Sequence, residues 1–312
     1  MHRLDLRRHA AAGAYAFALC VAALSTAAFA STPPPTPTPS ATASRAAEAS
    51  KDPCAGPARL LATLDRPTVG YSTCAVPKGA IVLEEGYQNQ SQGGASASVA
   101  ASYPQGFERV GVADRLEFDL IGPNFNRSRS GSALATGYND LGLGFKYELP
   151  QAGRFTYAVD GLFLAATGTG GFGAGGPTST ANIDIAYAAS SAIGFGTTLA
   201  AISTAGTTAV AATSPGTTPA GAPTAATTSR YGYFLPSFVV TAQIPNYYQF
   251  YAELVAQTKL APDQGGRTFT DFGVQKLLGP NLEVDAEYGI SFTPVAGSRF
   301  HYVGIGAGIR VK

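Results

Sequence analysis

The chain has 312 residues, 45% of them hydrophobic but only 13% charged, with a formal net charge of +1, 37 Gly, 21 Pro, 15 Tyr, 17 Phe and no Trp. That charge content is about half the usual share of a soluble domain, while the aromatic content and near-zero net charge argue against intrinsic disorder. After residue 30 no apolar run approaches the ~20 residues of a membrane helix. This leaves the transmembrane β-barrel, which places apolar residues at every second position, as the class to test.

Residues 1–30 read as a secretory signal peptide. Arg3, Arg7 and Arg8 form a basic start, an Ala-rich apolar stretch follows, and Ala28-Phe29-Ala30 offers a small-x-small cleavage site. Leu19, bulky, before Cys20 argues against a lipoprotein site. Removing Arg3, Arg7, Arg8 and Asp5 from 21 basic and 20 acidic residues leaves 18 and 19, with two cysteines, Cys54 and Cys74, and one histidine, His301. In an exported chain two cysteines permit a single disulfide. It would close a loop of about 20 residues and contribute on the order of 3 kcal/mol. Free thiols or a metal pair are the alternative, although two cysteines are too few for a structural zinc site. Residues 31–50, rich in Pro, Thr, Ser and Ala, predict a disordered linker. Residues 51–78 form a small Cys-bounded periplasmic segment in which Leu60, Leu61 and Leu64 space a short amphipathic helix. That segment lies either at the periplasmic mouth or inside a lumen.

From Gly79 onward the hydrophobic period is two. Leu116, Phe118 and Leu120 alternate with Glu117 and Asp119. Leu143, Phe145 and Tyr147 alternate with Gly144 and Lys146, and Tyr248, Phe250 and Leu254 with Gln249, Tyr251 and Glu253. The clearest strand sets Leu282, Val284, Ala286, Tyr288, Ile290 and Phe292 against Glu283, Asp285, Glu287 and small residues. Short connections at 113–115, 150–154, 190–194, 245–246 and 279–281 alternate with longer ones at about 88–98, 124–137, 166–180, 204–229, 260–267 and 294–299. The fold class is therefore all-β: a transmembrane antiparallel β-barrel of about 12 strands over 79–312, of the bacterial outer-membrane type. A secreted β-sandwich also alternates, but its polar faces would carry ordinary surface charge. Glu85 shares the expected lipid face with Ile81 and Leu83, which calls for an interfacial position or a bulge. Without Trp, the aromatic belts fall to Tyr147, Phe155, Tyr157, Tyr248, Phe292, Phe300 and Tyr302.

The charges divide by position. Glu117, Asp119, Asp160, Asp184, Glu253, Glu283, Asp285 and Glu287 are expected to line the lumen, against Lys146 and Arg310. Arg127, Arg129, Arg230, Lys259, Arg267 and Arg299 form an extracellular basic rim. Rings of charge set pore selectivity, and a basic mouth concentrates anions. A structural role fits the same residues, with rim arginines on lipopolysaccharide phosphates and lumen acids filling a narrow barrel. Twelve strands suit a narrow path for small solutes rather than a wide pore.

Catalysis has little to stand on. His301 has no Ser or Asp beside it and shares the face of Val303, so no catalytic, metal or cofactor site is expected and the chain is read as a non-enzyme. The GxGxxG match at 168–173 precedes a strand instead of the helix a nucleotide site needs. The reading is an outer-membrane channel for passive uptake of small solutes. The alternatives are a structural or surface-interaction barrel acting through loop 204–229 and, further off, a lipid-modifying barrel using His301. Expected partners are outer-membrane lipid and lipopolysaccharide, small-molecule solutes and the outer-membrane assembly machinery, with no nucleic acid.

Residues 109–147 contain RVGVADRLEFDL followed by GYNDLGLGFKYEL. These resemble the RxGxxDRLE and GxxDLxLGxKY motifs of outer-membrane transporters associated with the meta-pathway of phenol degradation. The closing LEVDAEYGISF…FHYVGIGAGIRVK is similar to that family's last hairpin, and Cys54–Cys74 with Arg66-Pro67-Thr68-Val69-Gly70 resembles an N-terminal extension of some relatives. The resemblance implies a barrel that imports small, often aromatic compounds and has no catalytic motif. The sequence departs from many outer-membrane proteins in ending Val311-Lys312 where they carry an aromatic residue that assists insertion.

Overall fold

The computed structural model describes residues 54–311 except 57, 95–96, 170, 210–225 and 293–298. The expected signal peptide (1–30), the linker (31–50) and most of the 204–229 loop lie outside the described residues. A short helix, α1 (Arg59–Thr63), precedes fifteen strand segments. They are β1 (Ile81–Gln92), β2 (Ser98–Tyr103), β3 (Phe107–Ala113), β4 (Leu116–Ile121), β5 (Phe125–Ser130), β6 (Ala133–Tyr138), β7 (Gly142–Glu148) and β8 (Phe155–Leu164). The remainder are β9 (Thr178–Ala188), β10 (Ile193–Ala209), β11 (Ala226–Ile244), β12 (Tyr248–Ala261), β13 (Gln264–Leu277), β14 (Leu282–Ser291) and β15 (Phe300–Arg310). Neighbouring segments pair antiparallel, and β15 returns to β1 from Val82↔Arg310 to Gln92↔Phe300, so the sheet closes on itself.

Six segments are halves of three interrupted strands. β1 pairs with β3 through Ile81–Glu84 and with β2 through Gln88–Gln92. Likewise β4 pairs with β7 in the lower wall and β5 with β6 in the upper. Counting each interrupted strand once leaves twelve staves, a closed antiparallel barrel of the outer-membrane type.

The alternation read from the sequence is the alternation of the wall. Phe118, Leu143, Phe163, Ile183 and Ile305 stand outward, Ile305 with 62% of its surface exposed, while Glu117, Lys146, Asp184 and Glu253 are buried inside. A strand sends successive side chains to opposite faces. In a soluble sandwich the apolar column would be the hidden one; here it is the outer one, as hydrocarbon requires.

Two aromatic rows bound the apolar band. Near the short turn at 151–154, Phe155 packs against Tyr187 at 4.7 Å and Tyr157 at 6.2 Å. At the opposite end Tyr87, Tyr103, Phe125 and Tyr138 run across four neighbouring staves with ring separations of 5.9, 5.4 and 5.4 Å. Tyr138 and Tyr147 lie on one stave, roughly 30 Å apart along the strand and about 23 Å in height at the usual tilt, close to the ~25 Å band of such barrels. Phe300 and Tyr302, expected in the belt, point inward instead: Val303 and Ile305 take the outer face, so alternation leaves the even positions for the lumen. There Phe300 packs edge-on to Phe269 at 5.5 Å, and the Tyr302 hydroxyl donates to Asp271 at 2.6 Å.

The long connections are shorter than the sequence suggested. β1 continues to Gln92, β5 and β6 form a hairpin across most of 124–137, β12 and β13 meet at Pro262-Asp263, and β10 pairs with β11 as far as Ala209↔Ala226. These ends are rich in Ser, Thr, Ala and Gly, so no hydrophobic period marks them and backbone pairing alone carries the sheet on.

The interruptions at 104–106, 122–124 and 139–141 lie side by side, just below the upper aromatic row. Pro104 and Pro123 have no N–H to give a ladder. Single bonds stitch the gap: Gln105 N–H to Gly86 O at 2.8 Å, Gly122 N–H to Gly106 O at 3.1 Å, and Asn139 N–H to Asn124 O at 3.0 Å. Glu85 stays on the outer face, without a bulge in its pairing to β15, and its carboxylate lies over Gly106 in the gap. Glu108, also exposed on this outer wall, is a second carboxylate there. A charge in hydrocarbon is expensive; Glu85 sits at the gap itself, and Glu108 lies two residues from it, between Leu83 and Leu120 in register.

Candidate functional site

The described residues of 54–80 thread the interior of the barrel, the lumen placement of the two that the sequence leaves open. Cys54 and Cys74 are disulfide-bonded, with Cα atoms 5.3 Å apart. Leu60 and Leu61 of α1, with Leu64, Val76 and Ala80, pack against Val82 and Leu277 of the wall in one buried cluster. From Leu64 onward the segment is extended and has no ladder of its own, and its buried N–H groups need acceptors. Wall side chains supply them. Glu84 accepts from Asp65 and Arg66 N–H at 3.0 and 2.8 Å, and Glu253 from Val69 and Gly70 N–H at 2.7 and 2.8 Å. Thr198 Oγ1 accepts from Tyr71 N–H at 2.8 Å, Glu148 from Ala75 N–H at 3.0 Å, and Glu117 from Val76 N–H. The acceptors come from staves all around the barrel, so the segment is a plug across the lumen.

An ion cluster locks the plug to four adjacent staves. Arg109 of β3 reaches Glu84 of β1 at 2.8 Å, Glu117 of β4 at 2.6 Å and Asp65 of the plug at 3.3 Å, and donates to Thr63 O at 2.5 Å. Lys146 of β7 holds Asp65 at 2.7 Å and lies 5.4 Å from the Tyr71 ring. All five charged residues are buried. Burial, followed by the charges of Asp160, Asp65 and Asp119, raises the Tyr71 phenol well above its usual pKa, so it remains a neutral hydroxyl. The plug and wall fit closely: Gly86 and Gly306 leave no room for a side chain beneath the Arg66 guanidinium, nor does Gly111 beneath the Pro77 carbonyl.

The eight acids assigned to the lumen all point inward and are buried. Glu117 and Glu253 bind the plug. Asp160 accepts from Asn182 at 2.5 Å, Asp184 from Thr198 at 2.6 Å, and Asp285 lies 3.5 Å from Arg66. Asp119, Glu283 and Glu287 complete the acidic wall. The sequence left unmarked Asp65, Glu84 and Arg109, which belong to the lock, and Asp271, which accepts from Tyr302. RVGVADRLEF held the signal for Arg109: a cation facing inward, two residues before an inward glycine and opposite an inward acid. Arg310, expected inside, instead donates to Asn281 at the closing turn at 2.7 Å.

The basic rim does not form a ring. Arg127 and Arg129 continue the outward face of Phe125, and Arg230 lies outward where it donates to Ser203 Oγ at 2.9 Å and Pro177 O at 3.0 Å. Arg267 faces the lumen, stacked over Phe300 at 4.9 Å and bonded to Gln257 at 3.0 Å, with Lys259 near Tyr231 at 5.9 Å. Arg299 is exposed, and its carbonyl accepts from Gly93 N–H at 3.0 Å. The strand extensions explain the difference, because residues counted as loop acquire a fixed face. His301 is exposed on the outer wall, stacked on Tyr288 at 6.4 Å. Among the described residues, no three or more His, Cys, Asp or Glu side chains converge as a metal site. The GxGxxG loop has no helix after it; Asp140 accepts from Gly168 and Ala174 N–H at 2.7 and 2.9 Å and ties it to the wall gap.

Between the plug and the interrupted wall lies a cavity of about 300 Å³. Arg66, Val69 and Tyr71 of the plug line it, with Gln105, Phe107, Ile121 and Asn124 at the gap and Gln88, Glu287 and Tyr302 opposite.

Barrel, plug and cavity define the class: an outer-membrane β-barrel with the architecture of porins and channels. Neither the family models nor the curated proteins searched give a match. Among solved structures the chain is similar to the NanC porin, at 12% identity and a TM-score of 0.50, over 73% of this chain and 100% of that one. It is also similar to the COG4313 outer membrane channel from Pseudomonas putida F1, at 12% identity and a TM-score of 0.52, over 76% and 97%. At such identity the likeness is one of fold.

Proposed function

We propose that this barrel is a channel for the passive uptake of small solutes, which it takes up in the cavity between plug and wall. The cavity carries the reading. At about 300 Å³ it is at the lower end of the range for small-molecule sites. Phe107, Ile121, Val69 and Tyr302 offer an apolar body, and Arg66, Gln105 and Glu287 offer a few polar contacts. That combination suits a compact, largely apolar molecule with one or two hydrogen-bonding groups, such as a phenol. The resemblance to transporters of the meta-pathway of phenol degradation supports the same substrate class. Straight passage along the axis meets the plug, so the interrupted wall beside the cavity serves as the second way in or out. His301, the histidine among the described residues, faces away from the lumen, which supports a transport reading.

The absence of Trp supplies a test. Phe107→Trp places the chain's single indole in the cavity. Titration with phenol should change its fluorescence saturably, whereas glucose should not. A purely linear response to every monoaromatic tried would contradict a binding cavity.

A further inference from the structure

We infer that the outer wall above the interrupted staves holds a lipopolysaccharide molecule by a lipid A phosphate, through Arg127 and Arg129 of β5. Phe125 belongs to the outward aromatic row that marks the edge of the apolar band. Alternation places Arg127 and Arg129 on the same face, about 7 and 13 Å farther along the strand. That is the height of the phosphorylated sugar layer, above the acyl chains.

The neighbours suit such a ligand. Arg129 lies between Val99 and Leu134 in register, and Arg127 between Ala101 and Thr136, with no carboxylate among these outer-face neighbours. Both arginines are exposed, as are Val99 and Leu134. The surface therefore joins two cations to apolar flanks, which complements a phosphorylated acyl-sugar. Arg230 makes the contrast, since its guanidinium is already bonded to Pro177 and Ser203. Two guanidiniums can clamp a phosphate with parallel charge-assisted bonds. The acids on this wall, Glu85 and Glu108, lie on the other side of the aromatic row, so they do not compete for the arginines.

The test uses the assembled protein purified in detergent and native mass spectrometry with defined lipid A. Wild type should retain bisphosphorylated lipid A, with binding to the dephosphorylated form weaker by about tenfold. Arg127→Gln with Arg129→Gln should lose about the same factor, the Arg→Lys pair, which keeps the charge but not the parallel bonds, should fall between the two, and Arg230→Gln should keep all of the binding. Heat-modifiable gel migration reports assembly of each variant. Should the double Gln variant fail to assemble, the single variants decide, each expected to bind about threefold more weakly. Undiminished binding in the Gln variants, equal binding of dephosphorylated lipid A, or displacement by equimolar inorganic phosphate would each overturn the assignment.

Discussion

Arg109 decides more than any other side chain whether the lumen is closed. It is fully buried and pairs with Glu84, Glu117 and Asp65 at once. Removing one partner of a buried ion cluster strands the others and typically costs about 3–5 kcal/mol. Arg109→Gln should therefore release the plug while leaving the barrel assembled, seen as a rise in single-channel conductance without loss of the folded band on unheated gels. Ile305→Arg makes the complementary case on the outer wall. Its side chain is among the most exposed apolar groups and faces hydrocarbon, where an arginine at mid-depth costs about 2–4 kcal/mol. The unfolding midpoint in bilayers should shift to lower urea, by the concentration that corresponds to that loss of free energy, with little change in conductance for whatever assembles.

The elements differ in how far the sequence disclosed them. Glu117, Asp119 and the Leu282–Phe292 strand announce themselves because a wall with one apolar face forces a period of two. Phe300 and Tyr302 were assigned to the belt by residue type, although the parity of Val303 already placed them inside. Arg127 and Arg129 read as mouth residues only because their strand carries no period above the membrane; pairing with β2 and β6 fixes their face. The interruptions are half legible, since Pro104 and Pro123 mark two of them, but only the register brings all three together. The plug was least legible. Val69 meets Glu253 across 184 residues, and no local pattern matches a loop's spare N–H groups to acids that far away. The Cys54–Cys74 bond closes this element at its base. In the unfolded segment such a loop constrains on the order of 3 kcal/mol of chain entropy. Cys54→Ser with Cys74→Ser should thus make plug opening more frequent, measured as more open events per minute in planar bilayers.

At the scale of the whole molecule the charges form shells. Among the described residues twelve carboxylates are buried, against Arg109 and Lys146 as buried cations. Several of the cations assigned to the mouth lie on the outer wall, toward the lipid. With the plug removed, the barrel should prefer K⁺ over Cl⁻, read from the reversal potential in a KCl gradient; an anion-selective pore would contradict the placement of these acids. The scarcity of charge along the chain thus has a spatial meaning: the outer band has to be apolar, and a buried part of the remaining charge holds a plug in place. The most direct test of that account is single-channel conductance of the full chain beside one lacking residues 54–78. The plugged barrel should conduct weakly and the deletion several-fold more, because a twelve-stranded barrel without its plug is wider than the eight-stranded size that side chains alone fill. Equal conductance from two equally well-folded proteins would contradict it.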